Sequence, residues 1–256
     1  MRPIRAEPPA NQGGTSTGSR CTDLLEEPRM STDTYSATTT VSPVDQPETA
    51  PRAVAARRLA LVACPLLAGA FALLGALADP AAGQSGPVML QVYIDHPDPL
   101  QWKSTGWHWA YAFWIVPAVL LARTVRGRGA WLANVGAGLG FAGLVTLPGM
   151  LVVDWYQSAI GQLYGLSGTQ DVEDLMMGSM WGPAGFMVAG LGGFALGLPL
   201  AAAAQWRAGR MRWWAPLAVV AAVVSLVLSG GAWWGSAAAA VFLAVFAVAL
   251  ARTTRD

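Results

Sequence analysis

Six blocks of this chain, each 16 to 24 residues long, contain no Asp, Glu, Lys or Arg. At about 1.5 Å of rise per residue, a helix of that length crosses roughly 30 Å of hydrocarbon. Backbone in hydrocarbon must hydrogen-bond internally, and a helix does so without a partner. The blocks lie at about Leu59–Ala78, Trp107–Ala122, Trp131–Val153, Trp181–Ala204, Trp213–Ser229 and Ala232–Leu250. The expected fold is an all-α integral membrane protein with six transmembrane helices inside residues 53–251. Its expected partner is the lipid bilayer.

The connections alternate in charge. Arg52, Arg57 and Arg58 precede the first block. Arg123, Arg126 and Arg128 lie between the second and third, and Arg207, Arg210 and Arg212 between the fourth and fifth. Arg252 and Arg255 follow the sixth. The other connections carry Asp79, Asp95, Asp98, Asp154, Asp171, Glu173 and Asp174, with Lys103 as their sole cation. Basic residues collect in cytoplasmic connections. Both termini are therefore expected in the cytoplasm, and an odd helix count would break the alternation. Trp102, Trp107, Trp109, Trp155 and Tyr156 fall at the acidic boundary, where an amphipathic ring is favoured.

Composition agrees. Apolar residues make up 54% and charged residues 12% of the chain, against about 25% charged in a soluble domain. The net charge of +1 gives no reason to expect a nucleic-acid partner. Fifteen of the sixteen basic residues are arginine, and Ala, Gly and Pro abound. That is the composition of GC-rich bacterial coding, so a bacterial plasma membrane is the expected location.

Residues 1–52 are rich in Pro, Ser, Thr, Gly and Glu and hold few large apolar residues. Such a segment buries too little surface to offset its ordering entropy, and a disordered cytoplasmic tail is expected. Met30-Ser-Thr-Asp reads as a natural start, which would make residues 1–29 an over-extended reading frame. Residues 252–256 form the expected cytoplasmic C-terminus. Cys21 and Cys64 are too few and too far apart for a disulfide framework or a zinc site. Leu61-Val62-Ala63-Cys64 matches a lipoprotein pattern, but its preceding apolar run is too short. Cys64 is read as a small apolar residue of a helix.

Two connections, 79–106 and 154–180, exceed ordinary loop length. In the first, Val88, Leu90, Val92 and Ile94 alternate with Met89, Gln91 and Tyr93, which predicts a strand. In the second, Trp155, Ala159, Ile160 and Leu163 have helical spacing, which predicts a helix on the membrane surface. A further short helix is expected with Thr169 as N-cap and Asp171, Glu173 and Asp174 in its first turns. Together these two long loops are expected to form a small extracytoplasmic cap.

The third and fourth blocks are rich in glycine. Gly136/Gly140 and Gly193/Gly197 form GxxxG pairs, which permit close helix packing. Pro148 and Pro199 add kinks, which would also suit the broken helices of a transporter. The two halves show no inverted-repeat similarity, which favours packing as the role of the glycines.

Ionisable groups gather at the acidic end. Both histidines are there, His96 in Asp95-His-Pro-Asp98 and His108 in Trp107-His-Trp109. His108 shares a helix face with Tyr111, and Asp154 ends the third block nearby. Candidate binding residues are His96, His108, Tyr111 and Asp154. Candidate metal ligands are His96, Asp98, His108 and Asp154. Met89, Met150, Met176, Met177 and Met180 lie on the same side, and thioether with imidazole would suit copper. No cofactor is predicted beyond such a metal ion. The bland alternative is an aromatic belt, solvating acids and gap-filling methionines.

No HExxH, CxxC or Gly-x-Ser-x-Gly pattern occurs, so no catalytic residue is named and an enzyme is the less favoured class. The reading is a binding, sensory or transport-like membrane protein with its site at the extracytoplasmic mouth. A metal-dependent or acid–base enzyme pairing His108 with Asp154 is one alternative. A scaffold or accessory subunit, joined by its glycine faces to a membrane partner or a second copy, is the other.

Overall fold

The computed structural model describes residues 51–253. The expected N-terminal tail up to residue 50, the Met30 start and the last three residues lie outside them. Among the described residues there are seven helices and no strand. They are α1 (Pro51–Ala78), α2 (Gly86–Asp95), α3 (Pro97–Ala122), α4 (Ala130–Ser179), α5 (Trp181–Arg207), α6 (Trp214–Leu228) and α7 (Trp233–Thr253).

Four of these, α1, α4, α5 and α7, are long and apolar enough to cross a membrane. In the most apolar stretch of α4 only 22% of residues are buried. Phe141, Val145, Leu191 and Leu196 stand exposed on α4 and α5, a surface that hydrocarbon satisfies and water does not. Helix α6 is apolar but has 15 residues, a rise of about 22 Å. Helix α3 carries Asp98, Gln101, Lys103 and His108 in its first half.

The helices extend beyond the apolar blocks because intrahelical hydrogen bonds continue into polar sequence. Neighbouring helices close a ring in the order α1, α3, α4, α5, α6, α7, and α3 also touches α5. Its core includes Trp114, Ile115, Leu198, Val219, Leu243 and Phe246. Cys64 is buried as a free thiol in α1.

Glycines set two of the closest crossings. A Cβ on Gly197 would stand 2.8 Å from Gly140 Cα, and one on Gly136 would stand 2.8 Å from the Ala201 nitrogen. Gly193 meets Gly143 in the same way. The second crossing joins α1 to α3, where a Cβ on Gly106 would lie 2.6 Å from the Gly75 nitrogen. Helix ends use Schellman geometry. After α5, Arg210 N–H donates to Gln205 O at 3.0 Å and Gly209 N–H to Trp206 O at 2.9 Å. After α6, Gly230 and Gly231 close the same pattern and lead directly into α7.

Three expectations for the connections are corrected. Residues 88–94 are helical, not a strand. Pro87 opens α2, and Leu90 and Tyr93, three apart, are its buried positions. A lone strand there would have no neighbour to take its backbone hydrogen bonds. Residues 154–164 are not a separate surface helix but continue α4 without a break. Thr169 is not an N-cap. The chain breaks at Gly165 (φ 75°, ψ 179°), a region essentially restricted to glycine.

Thr169 instead sits buried inside the helix that follows. Its Oγ1 donates to Gln157 O at 3.3 Å, so residues 166–179 fold back beside the preceding arm. Gly161 lies where this hairpin meets α2, with Ile94 and Thr169 Oγ1 against it.

Candidate functional site

The acidic end of the bundle is organised around one ion pair. Lys103 Nζ on α3 lies 2.8 Å from Asp154 Oδ2 on α4. Ser104, fully buried, donates from Oγ to the same oxygen at 3.1 Å. Lys103 Nζ also donates to the Tyr93 hydroxyl at 2.6 Å and stands 4.4 Å from that ring's centre. Tyr93 is fixed in turn, because Ser158 Oγ donates to its carbonyl at 2.7 Å. Five side chains, Tyr93, Lys103, Ser104, Asp154 and Ser158, thus tie α2, α3 and α4 together.

The Lys103 and Asp154 side chains are 13% and 19% exposed, so water screens the pair only weakly. Burial opposes the Lys103 charge, but Asp154 and Tyr93 outweigh it and hold the ammonium above the usual lysine range. Burial pushes the Tyr93 hydroxyl up, against the pull of Lys103. Near neutral pH the centre therefore holds a fixed ammonium and a neutral phenol. Neither is suited to act as a general base.

Asp154 also faces an open cavity of about 620 Å³ bordered by the two arms of α4 and the start of α5. Met150, Met176, Met177, Met187 and Phe186 supply much of its wall. Asp154 and Glu173 are its charged residues. The Gly165 reversal makes this chamber, since it lays Val172, Glu173 and Met176 opposite Met150 and Asp154. The arrangement offers an apolar, polarisable surface with negative charge at one side.

Only Asp154 of the sequence-derived candidates lines this cavity. His96 is exposed at the α2–α3 junction, where its backbone N–H donates to Val92 O. Asp98 is exposed and accepts from Gln101 Nε2 at 3.3 Å. His108 is exposed, edge-on to Trp109 at 5.5 Å. Tyr111 packs between Trp107 and Phe194, at 5.6 and 5.2 Å. Among the described residues no three His, Cys, Asp or Glu side chains gather where they could hold a metal ion. The expected set of His96, Asp98, His108 and Asp154 is therefore not assembled, because Asp98, His96 and His108 face outward from α3 and its N-terminal junction. No protein-family model, curated protein or solved structure matches this chain.

Sequence reasoning missed Lys103, Ser104, Tyr93 and Glu173. One signal was available: Lys103 is the single lysine and the single cation among the acidic connections. A lone cation amid carboxylates is a candidate for an internal pair.

Proposed function

We propose that this chain is a six-span bacterial plasma-membrane protein with both termini cytoplasmic. In this reading the α2 segment and the Gly165 hairpin form an extracytoplasmic cap over a small-molecule binding site. The observation that carries the site is the 620 Å³ cavity, walled by methionine and phenylalanine and charged by Asp154 and Glu173.

The ligand class follows from the lining. Thioether and phenyl groups favour an apolar body and adapt to varied shapes. One Asp154 oxygen is already held by Lys103 and Ser104, which leaves Glu173 as the principal unneutralised charge. A compact apolar molecule bearing a cationic group fits both features. The Lys103–Asp154 pair then acts as a rigid floor rather than as a proton relay, which supports binding over acid–base catalysis.

The test uses the purified full chain in neutral detergent. Tetraphenylphosphonium should raise the melting temperature saturably, and Glu173→Gln should weaken its binding by about tenfold, the effect of roughly 1.4 kcal/mol. Equal response to an anionic analogue, or none to either, would remove this reading. The four methionines favour a second occupant, a soft monovalent metal ion. Silver titration tests it, with loss of binding expected when Met176 and Met177 are both changed to Leu.

A further inference from the structure

At the other end of the bundle lies a second cavity, of about 700 Å³. It opens between the start of α1 and the ends of α3, α5 and α7. Arg57, Arg58, Arg123 and Arg210 converge on it. Leu61, Leu120 and Leu250 form an apolar wall beside them. Among the described residues no carboxylate lines it, and their single ion pair is at the opposite end.

This is more than the charge bias that orients membrane helices. That bias places arginines on one side of a bilayer, and Arg126, Arg128, Arg207 and Arg212 satisfy it without touching the cavity. Four other guanidiniums share one concave space instead. All four are exposed, so water screens their mutual repulsion, but together they make this concave space favourable to an anion.

The rim is also built. Buried Gln205 donates from Nε2 to Leu121 O at 2.9 Å and to Thr124 Oγ1 at 2.6 Å. Arg210 Nη1 donates to Thr124 O. These bonds tie the ends of α3 and α5 together and give the Thr124 carbonyl, just past α3, a partner. They also anchor Arg210 with one of its five donors, leaving the rest of its fork for another acceptor.

We propose that this cavity binds a phosphate group carried on an apolar chain, with the phosphate on the arginines and the chain along Leu61, Leu120 and Leu250. Guanidinium groups match phosphate oxygens bidentately. Basic pockets between membrane helices are suited to anionic headgroups. A bilayer lipid and a soluble phosphorylated molecule with an apolar tail both carry such a group, and the chemistry of capture is the same.

The experiment follows the melting of the full chain in neutral detergent. It compares dimyristoyl phosphatidylglycerol, dimyristoyl phosphatidylcholine and glycerol phosphate. Saturable stabilisation by phosphatidylglycerol, at least tenfold tighter than by phosphatidylcholine, supports the site. If glycerol phosphate binds as tightly as phosphatidylglycerol, the apolar wall contributes nothing and the proposal is overturned; weaker binding of glycerol phosphate means that the chain-bearing phosphate is the ligand.

Changing Arg57 and Arg123 together to Gln should weaken phosphatidylglycerol binding roughly 30-fold, since each arginine near an anionic headgroup contributes about 1 kcal/mol. Changing Arg126 and Arg128 to Gln should not. Thr253→Glu places a carboxylate at the cavity while keeping every arginine, and should weaken binding likewise. Equal affinity for the two lipids, or equal loss in the off-cavity pair, overturns the proposal.

Discussion

Lys103 and Asp154 meet 2.8 Å apart across α3 and α4, in a setting that leaves less than a fifth of either side chain exposed. Removing one partner of such a pair strands the other charge, which costs roughly 3–5 kcal/mol. Lys103→Met or Asp154→Leu alone should lower the melting temperature sharply. The double variant should recover much of the loss. A double variant no better than the worse single one would mean that the pair carries no mutual stabilisation.

The same pair sets a pH signature. The Lys103 ammonium is held above its ordinary range, so folding favours its protonated form. That contribution is fully present below the unfolded lysine value of about 10.4 and fades as pH rises through the higher folded value. Between pH 6 and 9 the melting difference between wild type and Lys103→Met should not change through lysine titration. It should shrink only above about pH 10.4. Shrinkage between pH 7 and 9 would contradict the assignment.

Glycine substitutions should separate contact from open space. A Cβ at Gly106 meets the α1 backbone, whereas one at Gly138 meets nothing within 4 Å. Gly106→Ala should destabilise the protein. Gly138→Ala should be neutral or stabilising by about 0.5–1 kcal/mol, the helix preference for alanine. Melting curves of both variants provide the comparison.

Gly165 should not tolerate a side chain. Its dihedral angles lie where other residues are strained by about 1–3 kcal/mol. Gly165→Ala should loosen residues 166–179 and raise their hydrogen exchange. The same change at helical Gly149, which faces open space, should leave that exchange as it was.

How much of this was legible in the sequence depends on the range of the signal. The apolar blocks and the arginine alternation are local patterns, and they led to an all-helical chain with spans suited to a membrane. The GxxxG pairs pointed to Gly136, Gly140, Gly193 and Gly197, which do lie on the α4–α5 crossing. Gly75 and Gly106 carry an equally close crossing, but neither belongs to a GxxxG pair in its helix. Only the three-dimensional pairing reveals them.

The alternation in Val88–Ile94 misled because a ten-residue amphipathic helix and a short strand share such a run. Burial of Leu90 and Tyr93 against the rest of the chain decided it. Among the site residues, Asp154 was legible from its position at the end of an apolar block. Its partner was not, since Lys103 lies 51 positions away. The histidines drew notice as chemical types, yet both side chains are exposed.

Residues 130–164 of α4 form one unbroken arm before the Gly165 reversal, with a rise of about 50 Å against roughly 30 Å of hydrocarbon. In the proposed orientation, an arm of that reach would lift its tip clear of a detergent belt around the apolar surface. A rigid antibody fragment raised against the 162–168 tip would therefore have a protein handle free of the micelle. That gives a protein of only 26.8 kDa an alignment mark for particle imaging.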